Sequence, residues 1–180
     1  SNDCAKVRLA DFGIIGMTEP QYDPNRCVAC EQCIKYCKKR SVDALSLVNG
    51  KIVRDTKKCI GCGVCITYCP TRAWTRSKEH YFRLVILGRT GKRNPRLAED
   101  FIKWCDEESI LKIAANTYAY IEEYIDPEAV ENKEHIGYIV DRTGFEKFKE
   151  YIFRDVSLSE KAEVAQEVYW GGKHYDRYGG

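Results

Sequence analysis

Hydrophobic and polar positions follow two different periods along this chain. Residues 11–17, "DFGIIGM", are apolar with two glycines and predict a strand running into a loop. Residues 81–88, "YFRLVILG", predict a second strand, and the continuous apolar run from Leu84 to Leu87 should be buried. Between them, "ALSLVNGKIVRD" sets Leu45, Leu47 and Ile52 as apolar positions about Asn49-Gly50, a favoured two-residue hairpin turn. Short helical stretches are expected near residues 31–36 and 64–68. In the second half the period becomes helical, predicting helices over 97–105, 109–125 and 144–154. In the middle one, Ile110, Ile113, Ala114, Thr117, Tyr118, Ile121 and Tyr124 recur at helical spacing and read as a core-packing face. "SLSE" (157–160) has the form of a capping box with Glu160 at N3, predicting a last helix that ends near Tyr169 before Gly171 and Gly172. The polar, aromatic-bearing "KHYDRYGG" forms a tail.

The pattern of strand, intervening segment, strand and helices predicts an α+β protein interrupted by a small module. At 180 residues, the chain suits one ordinary domain or a domain with an insert. No apolar run approaches the length of a membrane span, so membrane insertion is not expected. The first twelve residues carry charges and lack the apolar segment of an export signal, which points to a cytoplasmic protein. Ten cysteines therefore read as metal ligands rather than as a secreted disulfide framework. The net charge is +2, yet residues 25–76 hold eleven Lys or Arg against three Asp or Glu. A basic segment raises nucleic acid as a partner. Here the same segment carries eight cysteines, and thiolates around iron bring negative charge of their own. The basic excess reads as compensation for buried anionic clusters and as a docking face for an acidic partner, with no nucleic acid.

Those eight cysteines stand in two runs. "CVACEQCIKYC" holds Cys27, Cys30, Cys33 and Cys37; "CIGCGVCITYCP" holds Cys59, Cys62, Cys65 and Cys69. Both are C-x2-C-x2-C-x3-C. Three thiolates from one tight loop can reach three irons of a cubane, and in two-cluster proteins the fourth comes from the other run. The expected ligand sets are thus Cys27, Cys30, Cys33 and Cys69 for one [4Fe–4S] cluster, and Cys59, Cys62, Cys65 and Cys37 for the second. Structural zinc fits less well, because four cysteines within eleven residues make an awkward tetrahedron. Gly61 and Gly63 flank Cys62 and would let the backbone approach a cluster closely. Over about fifty residues the segment resembles a bacterial dicluster ferredoxin, apart from Lys38, which stands where proline usually follows the fourth cysteine of the first run.

Cys4 stands apart, followed by six residues and then Asp11, Phe12, Gly13 and Ile14. This resembles the second half of G-C-x3-C-x6-[DE]-Φ-G-Φ (Φ apolar), the signature with which sirohaem sulfite and nitrite reductases bind a coupled cluster. "LGRTGKRNPRLAEDF" resembles the Gly-rich basic loop that follows the ferredoxin insert in anaerobic and dissimilatory sulfite reductases, and "HIGYIVDRTGFEKFKEYI" resembles their closing helix. The four features fall in family order.

That resemblance implies a third [4Fe–4S] cluster and sirohaem in a longer protein, with Cys4 as the cluster's last ligand and this chain as the C-terminal part. It implies electron transfer through the two ferredoxin clusters to the sirohaem centre, for reduction of sulfite to sulfide or nitrite to ammonia. Arg89, Gly91, Lys92, Arg93 and Arg96 would meet sirohaem carboxylates through charge-assisted bonds and backbone N–H groups; the plainer alternative is a solvated turn. The implied divisions are 1–24 and 77–155 for the reductase domain, 25–76 for the dicluster ferredoxin, and 156–180 for a final helix and tail. Expected partners are an electron donor protein or subunit, the missing N-terminal half, and further copies or subunits. The competing reading is a non-catalytic ferredoxin-type carrier or coupling subunit. Cys105 reads as a core thiol, and His80, His135 and His174 as surface or satisfied histidines.

Overall fold

The computed structural model describes residues 5–89, 96–129 and 134–168. The chain divides into two compact units, residues 16–81 and residues 1–15 together with 82–180.

In the unit of residues 16–81, β2 (Pro20–Tyr22) pairs antiparallel with β5 (Trp74–Arg76), and β3 (Leu45–Val48) pairs with β4 (Lys51–Arg54). The β3–β4 turn forms as expected: Val48 faces Lys51, and Asn49 and Gly50 adopt φ of 50° and 73°, the doubly left-handed path of a type I′ turn. Leu45 and Ile52 point into the core. Leu47, the Cα partner of Ile52, stays 39% exposed. Two short helices, α1 (Gln32–Lys39) and α2 (Val64–Thr67), complete the unit. The core gathers Cys33, Cys37 and Cys65 with Ile34, Leu45, Ile52 and Trp74. Cysteine thus supplies much of what a larger domain would build from aliphatic side chains. A unit this small buries too little apolar surface to be comfortable alone, and metal is one of the usual remedies.

The other unit is built on a four-stranded sheet in the order β1 (Phe12–Met17), β6 (Tyr81–Ile86), β7 (Glu99–Cys105), β8 (Glu163–Val164). Leu84, Val85, Ile86 and Leu87 are all at most 1% exposed, as their unbroken apolar run requires. Residues 97–105, expected as a helix, form strand β7 instead. Phe101, Ile102, Trp104 and Cys105 fit either period over so short a stretch. Their aromatic and β-branched character, with β6 and β8 available on both edges, decides for the strand.

The expected last helix is also absent among the described residues. Glu163 and Val164 pair with Lys103 and Ile102, and Ala165 N–H donates to Phe101 O at 2.8 Å. A capping box contributes only locally, and adding a strand to β7 outweighs it. The expected helix end at Tyr169, Gly171 and Gly172 lies outside the described residues.

Helix α3 (Glu107–Tyr124) forms close to expectation, with Asp106 at its N-cap accepting from Ser109 N–H at 2.8 Å. Its buried stripe steps through Ile110, Ile113, Thr117 and Tyr120. Tyr118, assigned to that face from the sequence, lies off the stripe and is 71% exposed, whereas Tyr120 is fully buried. The expected closing helix resolves into two, α4 (Ile136–Thr143) and α5 (Phe145–Ile152). Gly144 separates them at φ 94°, and its N–H donates to Val140 O at 2.8 Å. Tyr120 and Phe148 meet edge-on at 5.0 Å within an aromatic cluster that includes Phe101 and Tyr151, and Tyr120 Oη hydrogen-bonds Thr143. Cys105 is fully buried, and burial followed by the neighbouring Asp106 charge pushes its thiol up to about 12. It packs as a core residue. No described helix is long and apolar enough to cross a membrane.

Phe148→Ala should lower stability by about 3–5 kcal/mol, because it opens a cavity under α3 and α5. Tyr118→Ala should change it by no more than about 0.5 kcal/mol. Urea unfolding of the two variants measures both values.

Candidate metal centre

The two cysteine runs follow one backbone path. In the second run, Gly61 and Gly63 adopt φ of 63° and 70° on either side of Cys62. In the first, Ala29 and Glu31 take the same left-handed conformation around Cys30, at φ of 53° and 57°. The sequence flags the glycines but gives no signal for Ala29 and Glu31. A non-glycine residue held there costs on the order of 1–3 kcal/mol, the kind of strain that collects at ligand-holding loops. The path folds each loop back so that its middle cysteine is exposed while Cys33, Cys37 and Cys65 are carried inward on α1 and α2. Cys33 and Cys37, four residues apart, share the buried face of α1.

Cys37 borders the same pocket as Cys59, Cys62 and Cys65, together with Gly61 and Gly63. A cysteine from the first run therefore stands among three from the second. On the other side, the groups acting on Cys33 include Cys69 and Cys27. Among the described residues no three His, Cys, Asp or Glu side chains close on a single ion-sized point. Backbone amides turn toward the sulfurs: Ala29 N–H donates to Cys27 Sγ at 3.4 Å, Ala44 N–H to Cys37 Sγ at 3.3 Å and Ala73 N–H to Cys69 Sγ at 3.2 Å.

Electrostatics separate the thiols. Burial, reinforced by Cys59 and Cys62, pushes Cys65 up to about 12. Burial likewise raises Cys37, with Cys62 and Cys59 adding to it, and raises Cys33 against the opposing effect of Trp74. At Cys69 burial is outweighed by hydrogen bonds from Thr71 and from the backbone of Trp74, Ala73 and Thr71, and the thiol is held below its ordinary value. Four mutually repelling sulfurs around one cavity need a cationic occupant to ionise together. An iron–sulfur cubane fits this donor set: sulfur ligands, backbone N–H groups on the sulfurs, and a cavity rather than a point.

Side chains that the sequence did not single out surround these sulfurs. Tyr22 Oη accepts from Ile52 N–H at 3.2 Å, its own hydroxyl is bonded to Cys27, and burial raises its pKa first. Its ring lies 4.7 Å from that of Trp74. Tyr36 and Tyr68, each one residue before the last cysteine of its run, stack at 3.6 Å. Arg54 lines the cavity of Cys37, Cys59, Cys62 and Cys65. Its strand, Lys-Ile-Val-Arg, opens and closes on a cation, and the sequence does not mark which of the two is buried.

Cys4 lies outside the described residues, but the segment that follows it is tied to the base of the basic loop. Leu87 N–H donates to Asp11 O at 2.6 Å, Ala98 N–H donates to Arg8 O at 2.6 Å, and Arg8 also reaches Ala98 O and Asp100. Arg89 and Arg96 exchange backbone hydrogen bonds at 2.8 and 3.1 Å across the loop's neck. The Arg89 guanidinium lies over the Tyr138 ring at 4.6 Å, and Arg96 Nε donates to Leu87 O at 2.7 Å. Arg89 is 7% exposed, so the solvated-turn alternative does not describe it. Gly91, Lys92 and Arg93 lie outside the described residues. His135 is satisfied by Asp11, Nδ1 to Oδ2 at 2.7 Å, and His80 is exposed, both as expected; His174 lies outside the described residues.

A mixed α+β fold with a sulfur-lined pocket fits the class of iron–sulfur proteins, and comparison with known proteins narrows it. The family model for the nitrite and sulphite reductase 4Fe–4S domain matches residues 1–161, and the chain belongs to that family. It is similar to a subunit of the anaerobic sulfite reductase of Salmonella typhimurium (strain LT2) and to the same subunit from Salmonella typhi, each 40% identical over 169 residues. The match covers 94% of this chain and 50% of each relative, so the chain spans about half the length of the curated relatives it matches. Among solved structures, dissimilatory sulfite reductase I shares the fold with a TM-score of 0.60 at 16% identity, over 97% of this chain and 45% of that one.

Gly61→Ala should destabilise the chain more than Gly50→Ala. Both positions are left-handed, but a Cβ at Gly61 would stand 2.8 Å from Met17 Cβ, whereas one at Gly50 meets nothing within 4 Å. Thermal unfolding of the two variants gives the order, and equal losses would mean that only backbone strain is felt.

Proposed function

We propose that this chain is the electron-delivering part of a sirohaem sulfite or nitrite reductase. Residues 25–76 act as a dicluster ferredoxin inserted in the reductase domain formed by 1–24 and 77–155. Cys27, Cys30, Cys33 and Cys69 hold one [4Fe–4S] cluster, and Cys59, Cys62, Cys65 and Cys37 hold the other. The observation that carries the reading is the position of Cys37 beside Cys59, Cys62 and Cys65, which is what an exchanged fourth ligand between two runs requires.

When bound, such clusters supply one-electron storage, and the chain's residues set how it is used. Amides of Ala29, Ala44 and Ala73 donate to the ligating sulfurs and stabilise their negative charge. Buried Trp74 and half-buried Tyr22 restrict water at the first site. Exposed Cys30 and Cys62 leave both sites approachable, and exposed Lys35, Lys38, Lys39, Lys57 and Lys58 offer an acidic donor protein a place to dock. In the complete reductase, Cys4 completes the set holding a third cluster coupled to sirohaem. Arg89, Gly91, Lys92, Arg93 and Arg96 engage sirohaem carboxylates. Six electrons delivered this way convert sulfite to sulfide, or nitrite to ammonia. The N-terminal half of the enzyme and further subunits are the partners that complete the site.

Anaerobically reconstituted, this chain should hold about eight irons and no sirohaem. Cys37→Ser and Cys69→Ser should each remove the EPR signal of a different cluster. Sirohaem absorption together with about twelve irons per chain would overturn the two-cluster assignment for this segment, and colourless protein carrying zinc would overturn the iron–sulfur reading altogether.

A further inference from the structure

Arg54 ends strand β4 opposite Leu45, on the wall of the cavity bordered by Cys37, Cys59, Cys62 and Cys65. Its side chain is 18% exposed, and Nη2 stands 3.6 Å from Glu19 Oε1, a carboxylate buried to a similar degree. Nη1 is sealed from solvent and has no hydrogen-bond partner among the described residues. A buried guanidinium N–H left unmet is costly, more so than a neutral donor, and is retained where negative charge will arrive to meet it. The sulfurs of Cys33 and Cys27 lie beside other groups. They meet the neutral Trp74 indole, whose Nε1 is also buried without a conventional acceptor, and the Tyr22 hydroxyl.

We propose that Arg54 is a potential-setting residue, whose charge makes the cluster held by Cys37, Cys59, Cys62 and Cys65 the more easily reduced of the pair. This rests on the iron–sulfur reading above. Reduction adds one electron, taken from an external one-electron reductant, and neither breaks a bond nor moves a proton. The added negative charge is stabilised by a guanidinium held at low dielectric, while Glu19 offsets part of that field. Arginine keeps its charge at every working pH, so the bias does not titrate away. An electron entering at either cluster settles at the Arg54 side, which gives the pair a direction.

The test is an EPR-monitored redox titration of the reconstituted full chain, poised with dithionite and mediators, for wild type, Arg54→Gln, Arg54→Lys and Glu19→Gln. Iron and sulfide content is measured first. Arg54→Gln should shift the reduction equilibrium of one cluster at least tenfold toward the oxidised form, a fall of about 59 mV for a one-electron couple, and leave the other unmoved. Arg54→Lys should restore most of the shift. Glu19→Gln should raise the same cluster's potential, an opposite change that loss of packing would not produce. Intact clusters with unmoved potentials, or equal shifts in both, would overturn the proposal while leaving the cluster assignment standing. Absence of clusters from the wild type would instead overturn the assignment itself. Should Arg54→Gln fail to load, Arg54→Lys and Glu19→Gln decide the matter: an unmoved potential in Glu19→Gln refutes it.

Discussion

Burial of cysteine side chains is the constraint on which the smaller unit depends. Cys65 is pushed up to about 12 by burial and by Cys59 and Cys62, and Cys37 is raised by burial with the same neighbours. Left as thiols, these groups are polar and weakly bonded at the centre of a unit that has little else to pack. As thiolates they need a cation. Either way the core is incomplete without what the cysteines bind, and the strained backbone at Ala29 and Glu31 has the same explanation. Binding free energy at such a site is folding free energy, because the unfolded chain offers no preformed cage.

The same reasoning orders the charges around the cages. The basic excess of residues 25–76 is mostly solvent-exposed, as at Lys35, Lys38, Lys39, Lys57 and Lys58, where water and salt screen it. Such charges guide a partner's approach more than they alter a buried site. Arg54 is different in kind. With Nη1 sealed from water and one partly buried carboxylate for company, its field is screened far less. A count of lysines and arginines treats all eleven cations of this segment alike, yet burial sets Arg54 apart from the exposed ones.

What the sequence disclosed follows the strength of each local signal. Cysteine spacing and the Asn49-Gly50 turn are short-range and chemically specific, and both the two runs and the hairpin were legible. So was the buried strand at Leu84–Leu87, whose unbroken apolar run leaves no exposed face. The failures share a cause, which is pairing at long range. Phe101, Ile102, Trp104 and Cys105 carry no periodicity that excludes a helix, and only β6 and β8 on either side make them a strand. The capping-box residues 157–160 lost to the partner waiting on β7. Tyr118 and Tyr120 were exchanged because a broad apolar face drawn on a helix does not reveal which flank meets α5. Ala29, Glu31 and Arg54 were invisible for another reason: the first two hold a left-handed backbone and the third is buried, and residue type alone does not record either.

The reductase-type pieces were legible as separate motifs, while their physical connection was not. Residues 8–11 and 87–98, far apart in sequence, are joined by backbone hydrogen bonds from Leu87 to Asp11 and from Ala98 to Arg8. The crowding at Gly88 shows how close that approach is, since a Cβ there would stand 2.6 Å from the carbonyl oxygens of both Arg8 and Ala10. At the same neck, a Cβ on Gly137 would collide with Arg96 Nη2, so α4 fixes the arginine that closes the loop. The stretch that follows Cys4 and the stretch that opens the basic loop are therefore one rigid piece of backbone. β1 and β6 are also neighbours in the sheet, so the chain leaves for residues 16–81 and returns on adjacent strands, and a module can be carried there without parting the sheet that holds this piece together.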